Sequence, residues 1–170
     1  YTTTGLANND VITCVMTANN ACQTTGTATS NALTMSVTAN VTPSISIISS
    51  ATSICAGTGV TFTANATNGG SSPSYQWYLN GSTVGTNSTT YSNSGLADGD
   101  QVEVVLTSNN VCQTTSSATS NIVTLSVTAN VTPSVSITST GNTICSGASV
   151  TFTATPTNGG TAPSYQWKLN

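Results

Sequence analysis

The sequence predicts an all-β protein made of short strands. Apolar and polar residues alternate in several runs; Val102, Val104 and Leu106, for example, alternate with Gln101 and Glu103. A period of two places alternate side chains on the same face of a strand. Thr and Ser make up roughly a third of the chain, and Thr, Val and Ile suit a pleated, half-buried surface. Turn-forming Asn-Gly and Asp-Gly pairs separate the runs.

The chain also contains an internal repeat of 90 residues. Shifting the sequence by 90 positions superposes residues 1–80 on residues 91–170 without a gap, and about 60% of the aligned positions are identical. Residues 22–25 recur as 112–115, and residues 74–77 recur as 164–167. A fixed period of this kind indicates a tandem array of similar units.

Two prolines mark the boundaries between the units. Pro43 and Pro133 each follow the same Thr-Ala-Asn-Val-Thr stretch, and a proline restricts both itself and the preceding residue, as in a linker. The predicted domains are the C-terminal part of one repeat (1–40), one complete repeat (41–130) and the N-terminal part of the next (131–170). The two parts together make one domain without the counterpart of 81–90. We expect either a window on a longer polypeptide or a subunit of an end-to-end assembly.

About seven short strands in one repeat predict a Greek-key β-sandwich of the immunoglobulin type. Trp77 lies where that fold has its buried tryptophan. We expect Phe62, Trp77, Val104 and Leu125 to be buried together in the core. The alternative for Trp77 is an exposed ring that stacks on sugars.

Five stretches carry a resemblance to a known group of proteins: ICAG at 54–57, VTFTA at 60–64, YQW at 75–77, GLADGD at 95–100 and NVC at 110–112. Together they resemble the immunoglobulin-like and PKD-like repeats of giant secreted Bacteroidetes cell-surface proteins of the gliding-motility adhesin type. The Trp-Asp-Phe-Gly-Asp-Gly motif of PKD domains is absent, so the immunoglobulin-like label fits better. The resemblance implies export to the cell surface and a stalk or adhesin role, and it implies no catalytic residue.

The composition argues against several classes of function. The only charged side chains are Asp10, Asp98, Asp100, Glu103 and Lys168, and there is no histidine. Acid–base catalysis lacks its usual groups, and Ser or Thr nucleophiles lack an activating base, so we expect neither an enzyme nor a cofactor. A single Lys without Arg gives no basic surface for nucleic acid. No apolar run approaches the ~20 residues of a membrane helix, and no signal-peptide pattern is visible.

Asp98 and Asp100 are a weak calcium candidate, because Ca²⁺ prefers several oxygen ligands. The matching positions are Asn8 and Asp10, which keep only one carboxylate. A turn that precedes a strand is therefore the favoured interpretation.

Two cysteines recur in each repeat, which in an exported protein suggests disulfides. Cys22 and Cys112 follow an Asn-Asn turn, and Cys55 and Cys145 precede the second strand. In an immunoglobulin sandwich these positions lie at opposite ends, so we expect bonds between successive domains, with the partners of Cys112 and Cys145 outside the chain or in another copy. Cys14 matches Val104, which predicts a buried free thiol.

The sequence thus predicts a structural segment of an extracellular stalk, filament or adhesin that projects from the cell surface. Its expected partners are neighbouring repeats or other copies of the chain, arranged head to tail. Another region of the protein would contact a surface glycan or polymer. The alternative is a carbohydrate-binding accessory module of a secreted multidomain protein.

Overall fold

The computed structural model describes residues 1–170 and contains strands, turns and loops without any helix. Consequently no helix long and apolar enough to cross a membrane occurs. The strands of 1–40 are β1 (Val11–Ile12), β2 (Val15–Thr17), β3 (Thr27–Thr29) and β4 (Leu33–Thr34). Those of 41–130 are β5 (Ser44–Ser49), β6 (Ser53–Cys55), β7 (Val60–Thr67), β8 (Ser74–Leu79), β9 (Ser82–Val84), β10 (Thr90–Asn93), β11 (Gln101–Thr107), β12 (Ser117–Thr119), β13 (Val123–Thr124) and β14 (Ser126–Thr128). The last two strands are β15 (Ser134–Ser139) and β16 (Phe152–Thr157).

Residues 41–130 form two main antiparallel sheets. One has the strand order β10-β7-β5, and the other has the order β12-β11-β8-β9, with β13 also paired to β11. The strands β6 and β14 form a separate parallel pair. The two main sheets contribute to one apolar core, which is the arrangement of a β-sandwich.

The core is confined to residues 41–130. All 14 buried residues of the chain lie between positions 43 and 125. The four residues expected there, Phe62, Trp77, Val104 and Leu125, all belong to the cluster. The rings of Phe62 and Trp77 come from opposite sheets and lie 6.5 Å apart between centroids. The indole Nε1 of Trp77 donates to the carbonyl oxygen of Ser88 at 2.9 Å, so its one polar atom is satisfied inside the core.

The hairpin from β8 to β9 shows how local sequence sets the strand connections. Leu79 pairs with Ser82, so the loop consists of Asn80 and Gly81 alone. Both residues have positive φ, 52° and 76°. Two-residue loops of this kind match the twist of the strands, and Asn-Gly is their preferred sequence because most side chains disfavour positive φ.

Residues 1–40 and 131–170 form only fragments of sheet. The pairs β1–β4, β2–β3 and β15–β16 keep the register of their counterparts in 41–130; Val15 pairs with Thr29, for example, as Val105 pairs with Thr119. No residue in either segment is buried. No backbone hydrogen bond joins either segment to the complete repeat.

Replacing Trp77 by Ala should lower the free energy of unfolding of the 41–130 unit by about 3–5 kcal/mol, since it removes a fully buried ring and leaves a cavity. Urea denaturation followed by far-ultraviolet circular dichroism measures the change. Trp167→Ala is the matched control at concentrations low enough to keep the chain monomeric, because that ring then lies outside any closed core. An equal loss of stability in both variants would contradict the core assignment.

Candidate functional site

The most distinctive surfaces of the molecule are the strands of the two end segments that have no partner. The segment 164–169 is the counterpart of β8, and it forms no ladder. In the complete repeat β8 pairs with β11, whose counterpart lies in residues 1–40. The counterparts of β6 and β14, at 143–145 and 36–38, are likewise unpaired.

A simple rule describes which ladders form. Strand pairs whose two members lie within one end segment are present, and pairs whose members are divided between the two end segments are absent. Each end segment therefore forms only the ladders that its own strands permit.

This division leaves apolar sheet faces open. Their side chains are the counterparts of those that form the core of the complete repeat. Ile137 is 62% exposed, whereas its counterpart Ile47 is 3% exposed, and Trp167 is 51% exposed, whereas Trp77 is fully buried. Other exposed members of the two open faces are Met16, Leu33, Val135, Ile144 and Phe152. Open apolar sheet faces of this kind mark interaction surfaces.

The total accessible surface shows the same deficit of burial. The chain exposes 11955 Å². A compact monomer of 17.0 kDa exposes ~7,700 Å² by the usual scaling with mass. The surplus of ~4,200 Å² lies in the range that obligate interfaces bury, about 2,000–5,000 Å².

Both open faces already have the local geometry of the complete repeat. The rings of Phe152 and Trp167 lie 6.3 Å apart at 48°, and those of Phe62 and Trp77 lie 6.5 Å apart at 52°. In the other segment, the backbone N–H of Cys14 donates to Ser30 Oγ at 2.9 Å, as that of Val104 donates to Ser120 Oγ at 3.0 Å. Because the side chains are preorganised, little further ordering is needed for the faces to meet.

One residue of the interface between sheets was not identified from the sequence. The amide of Asn121 accepts from the backbone N–H of Ile47 at 2.9 Å and donates to its carbonyl oxygen at 3.1 Å, so it ties β5 to the chain before β13. Its counterpart Asn31 is exposed and makes no such bond. The signal was present in the sequence, since Ser-Asn recurs at 30–31 and 120–121.

The expectation of a buried thiol at Cys14 is wrong for the single chain, where Cys14 is exposed. Val104, at the matching position, is fully buried because Trp77 lies opposite it on β8. Residues 1–40 contain no such strand, so the thiol has nothing to cover it.

The two recurring cysteines of the complete domain, Cys55 and Cys112, lie at its opposite ends. The backbone N–H of Val41, where the chain enters, donates to the carbonyl oxygen of Cys112 at 2.9 Å. Cys55 pairs with Thr128, where the chain leaves. The eight-residue strand β7 separates the two ends by ~26 Å, far beyond the ~7 Å between bridged Cα atoms. All five cysteines have free thiols in the single chain.

The Asp98–Asp100 turn is held by hydrogen bonds from backbone and side-chain N–H groups. Asp98 Oδ1 accepts from Val127 N at 2.9 Å, and Asp100 accepts from Ala97 N at 2.8 Å and from the Asn80 amide at 2.8 Å. These two donors hold the pKa of Asp100 below its usual value of 3.8, with the Ala97 N–H as the larger cause.

The first repeat shows what the Asp98 position requires. Asn8 Oδ1 accepts from Val37 N at 3.1 Å, which is the same bond with a neutral side chain. The position therefore requires an oxygen acceptor, and a negative charge is not needed. No group of three or more His, Cys, Asp or Glu residues that would suit a metal ion occurs in the chain.

An open depression of about 680 Å³ lies at the entry end of the complete domain. Its walls include Tyr75, Asn109 and Asn110. The neighbouring Asn68 amide donates to the carbonyl oxygen of Thr42, just after the chain enters the domain. The depression therefore lies at the end where residues 1–40 join this unit.

No protein-family model matches the chain. No curated protein matches it either.

Replacing Asp100 by Asn should lower the melting temperature at pH 7 by a few degrees, because the turn loses its charge-assisted hydrogen bonds. A lowered pKa in the folded state means that this contribution is complete above the usual value of 3.8 and is lost as the pH falls through the folded-state pKa. The difference from the wild type should therefore shrink below pH 3.8, as measured by thermal unfolding between pH 7 and pH 2. Glu103→Gln removes an equal charge without touching the turn. If the difference in melting temperature instead persists undiminished at pH 2, the stabilisation does not come from the ionised Asp100 carboxylate.

Addition of millimolar calcium, or of a chelator, should leave the melting temperature unchanged, because backbone N–H groups already occupy the carboxylates of the turn. Asp98→Asn should be tolerated for the same reason, since Asn8 makes the equivalent bond in the first repeat. Differential scanning calorimetry measures both. A rise in melting temperature with calcium that Asp98→Asn abolishes would establish a cation site instead.

Proposed function

We propose that the chain is a segment of a tandem array of immunoglobulin-like domains, and that it serves as a structural element of an extracellular stalk, filament or adhesin. The single observation that carries the proposal is the complementarity of its two end segments. Residues 131–170 and 1–40 present the two open faces of one sandwich, each in the local geometry of the complete repeat. Neighbouring repeats therefore meet head to tail.

The strand topology supports the immunoglobulin-like label. The sheet β10-β7-β5 faces a sheet in which β11 is central, and the parallel pair β6–β14 closes one side. Trp77 lies on β8 in the middle of the core, as in that fold. Each domain encloses its own core, so added domains extend the array at constant width.

The complete repeat specifies how the end segments fit together. Val104 pairs with Trp77, so Cys14 of one copy pairs with Trp167 of another. Leu106 pairs with Tyr75, so Met16 pairs with Tyr165. This contact is heterologous, because the two surfaces differ, and heterologous contacts that do not close into rings generate open filaments. In a longer polypeptide, the neighbouring repeats supply the same strands within one chain.

Composition supports an extracellular, passive role. A surface rich in Thr and Ser with only five charged side chains is soluble without a strong electrostatic field. Paired cysteine positions in every repeat fit an oxidising compartment. The resemblance to secreted cell-surface repeats points in the same direction.

The carbohydrate-binding alternative has weaker support. The ring of Trp77 is fully buried and offers no face for a sugar. The one sizeable depression in the complete domain, lined in part by Tyr75, lies at the end where a preceding domain attaches. An array of immobilised glycans tests the alternative directly, and the stalk proposal expects no binding by this segment.

The 170-residue chain should assemble into beaded rods visible by negative-stain electron microscopy, since assembly buries the open apolar faces. Trp167, half exposed in the single chain, should become buried, which shifts tryptophan fluorescence to shorter wavelength as the concentration rises. Ile137→Asp should abolish both effects, because it places a charge in the interface core.

Ile48→Asp is the matched control. Ile48 is 61% exposed and Ile137 is 62% exposed in the single chain, but only Ile137 corresponds to a buried residue of the complete repeat. The control should assemble like the wild type. A wild-type chain that remains monomeric at high concentration, or an Ile48 variant that fails as completely as the Ile137 variant, would overturn the proposal.

A further inference from the structure

We propose that successive copies of this chain are joined by two disulfides, one between Cys55 of one copy and Cys22 of the next, and one between Cys145 of the first copy and Cys112 of the next. The inference rests on the head-to-tail assembly proposed above. It names the covalent partner of each recurring cysteine, which no pairing within a single chain provides.

The first step concerns the ends of the complete domain. Cys55 lies beside the exit strand, because it pairs with Thr128 and the neighbouring Ala56 N–H donates to the Thr128 carbonyl oxygen at 2.9 Å. The Asn130 amide also donates to the carbonyl oxygen of Ala56 at 3.0 Å. Cys112 lies beside the entry residue Val41. A bond between Cys55 and Cys112 within one domain is therefore excluded by the length of β7.

The second step places the other two cysteines. When 131–170 of one copy combines with 1–40 of the next, the repeat puts Cys22 at the entry end of the composite domain, as Cys112 is in the complete one. The contact of Val41 with Cys112 becomes a contact of Val131 with Cys22. Cys145 takes the position of Cys55 at the exit end, beside Thr38.

The third step compares the positions along each linker. At the junction that leaves the complete domain, Cys55 lies against Thr128 and Cys22 lies against Val131, which is three residues further on. Three extended residues span at most ~11 Å, so a modest bend of the linker brings the two Cα atoms within the ~7 Å that a disulfide requires. The same spacing separates Thr38, beside Cys145, from Val41, beside Cys112, at the next junction.

The two bonds account for the four recurring cysteines of the chain. Each bond joins different copies, and the two together flank one composite domain. Cys14 is left over, and it belongs to the core of that domain, opposite Trp167, where Val104 lies opposite Trp77 in the complete one. It is therefore protected from exchange in the assembled state.

The chemistry of bond formation is ordinary thiol–disulfide exchange. Two S–H bonds are lost and one S–S bond forms for each pair, and the two electrons and two protons pass to a small-molecule disulfide such as oxidised glutathione, which is reduced to two thiols. No metal or further cofactor takes part.

The test is oxidation of the assembled 170-residue chain in a glutathione buffer, followed by non-reducing electrophoresis and peptide mapping. The expected result is a ladder of multiples of the 17.0 kDa unit that collapses to one band on reduction. The map should contain the pairs Cys22–Cys55 and Cys112–Cys145, and Cys14 should react with alkylating reagents only after denaturation.

Variants separate this proposal from the assembly on which it rests. Cys22→Ser with Cys112→Ser should abolish the ladder while rods still form, and each single variant should keep a ladder through the remaining bond. Cys14→Val, which installs the residue of the complete repeat, should keep both the rods and the ladder. Rods without either cross-link, or a map that pairs Cys55 with Cys112, would overturn the disulfide proposal and leave the assembly intact. A monomer with five free thiols would overturn both.

Discussion

The pairing of β8 with β11 is the interaction on which the rest of this structure depends. It sets Trp77 opposite Val104 in the centre of the second sheet, and the remaining strands of that sheet attach to these two. In sequence, β8 belongs to the first part of the repeat and β11 to the last. A closed core therefore exists only where both parts of a repeat are present together. Residues 74–77 and 164–167 have the same sequence, yet one tryptophan is fully buried and the other is half exposed. Burial in this chain is decided by strand partnership.

The elements that follow from local chemistry were accessible from the sequence. The alternation in Gln101–Thr107 and the Asn80–Gly81 loop each encode their own conformation. The 90-residue period is likewise visible without structural information. Pairings between distant strands were not accessible in the same way. The parallel contact of β6 with β14 and the division of the last strand into β12, β13 and β14 depend on which edges are free in three dimensions.

The roles of individual polar residues were also only partly predictable, because the sequence does not show their hydrogen-bond partners. Oxygen-rich side chains at Asp98 and Asp100 are compatible with either a turn or a cation, and composition alone does not distinguish them. The direction of their hydrogen bonds does, because backbone and amide N–H groups already point at the carboxylates. Asn121 was missed because a single amide in a polar sequence has no pattern of its own, although its recurrence as Asn31 distinguishes it in retrospect. The prediction of a buried thiol at Cys14 was wrong for a different reason. It assumed a covering strand that the single chain does not contain.

The parallel pair of β6 and β14 has a mechanical consequence. The chain enters the complete domain beside Cys112 and leaves it beside Cys55, so tension along the proposed array would pull on opposite ends of the domain. β6 is attached to the entering strand β5, and β14 leads directly to the exit. Pulling therefore slides these two neighbouring strands past one another along their length. The hydrogen bonds from Ser126 N to Thr52 O and from Ala56 N to Thr128 O are loaded together in shear, so neither breaks before the other. Strands in this arrangement resist extension far better than a hairpin that unzips from one end.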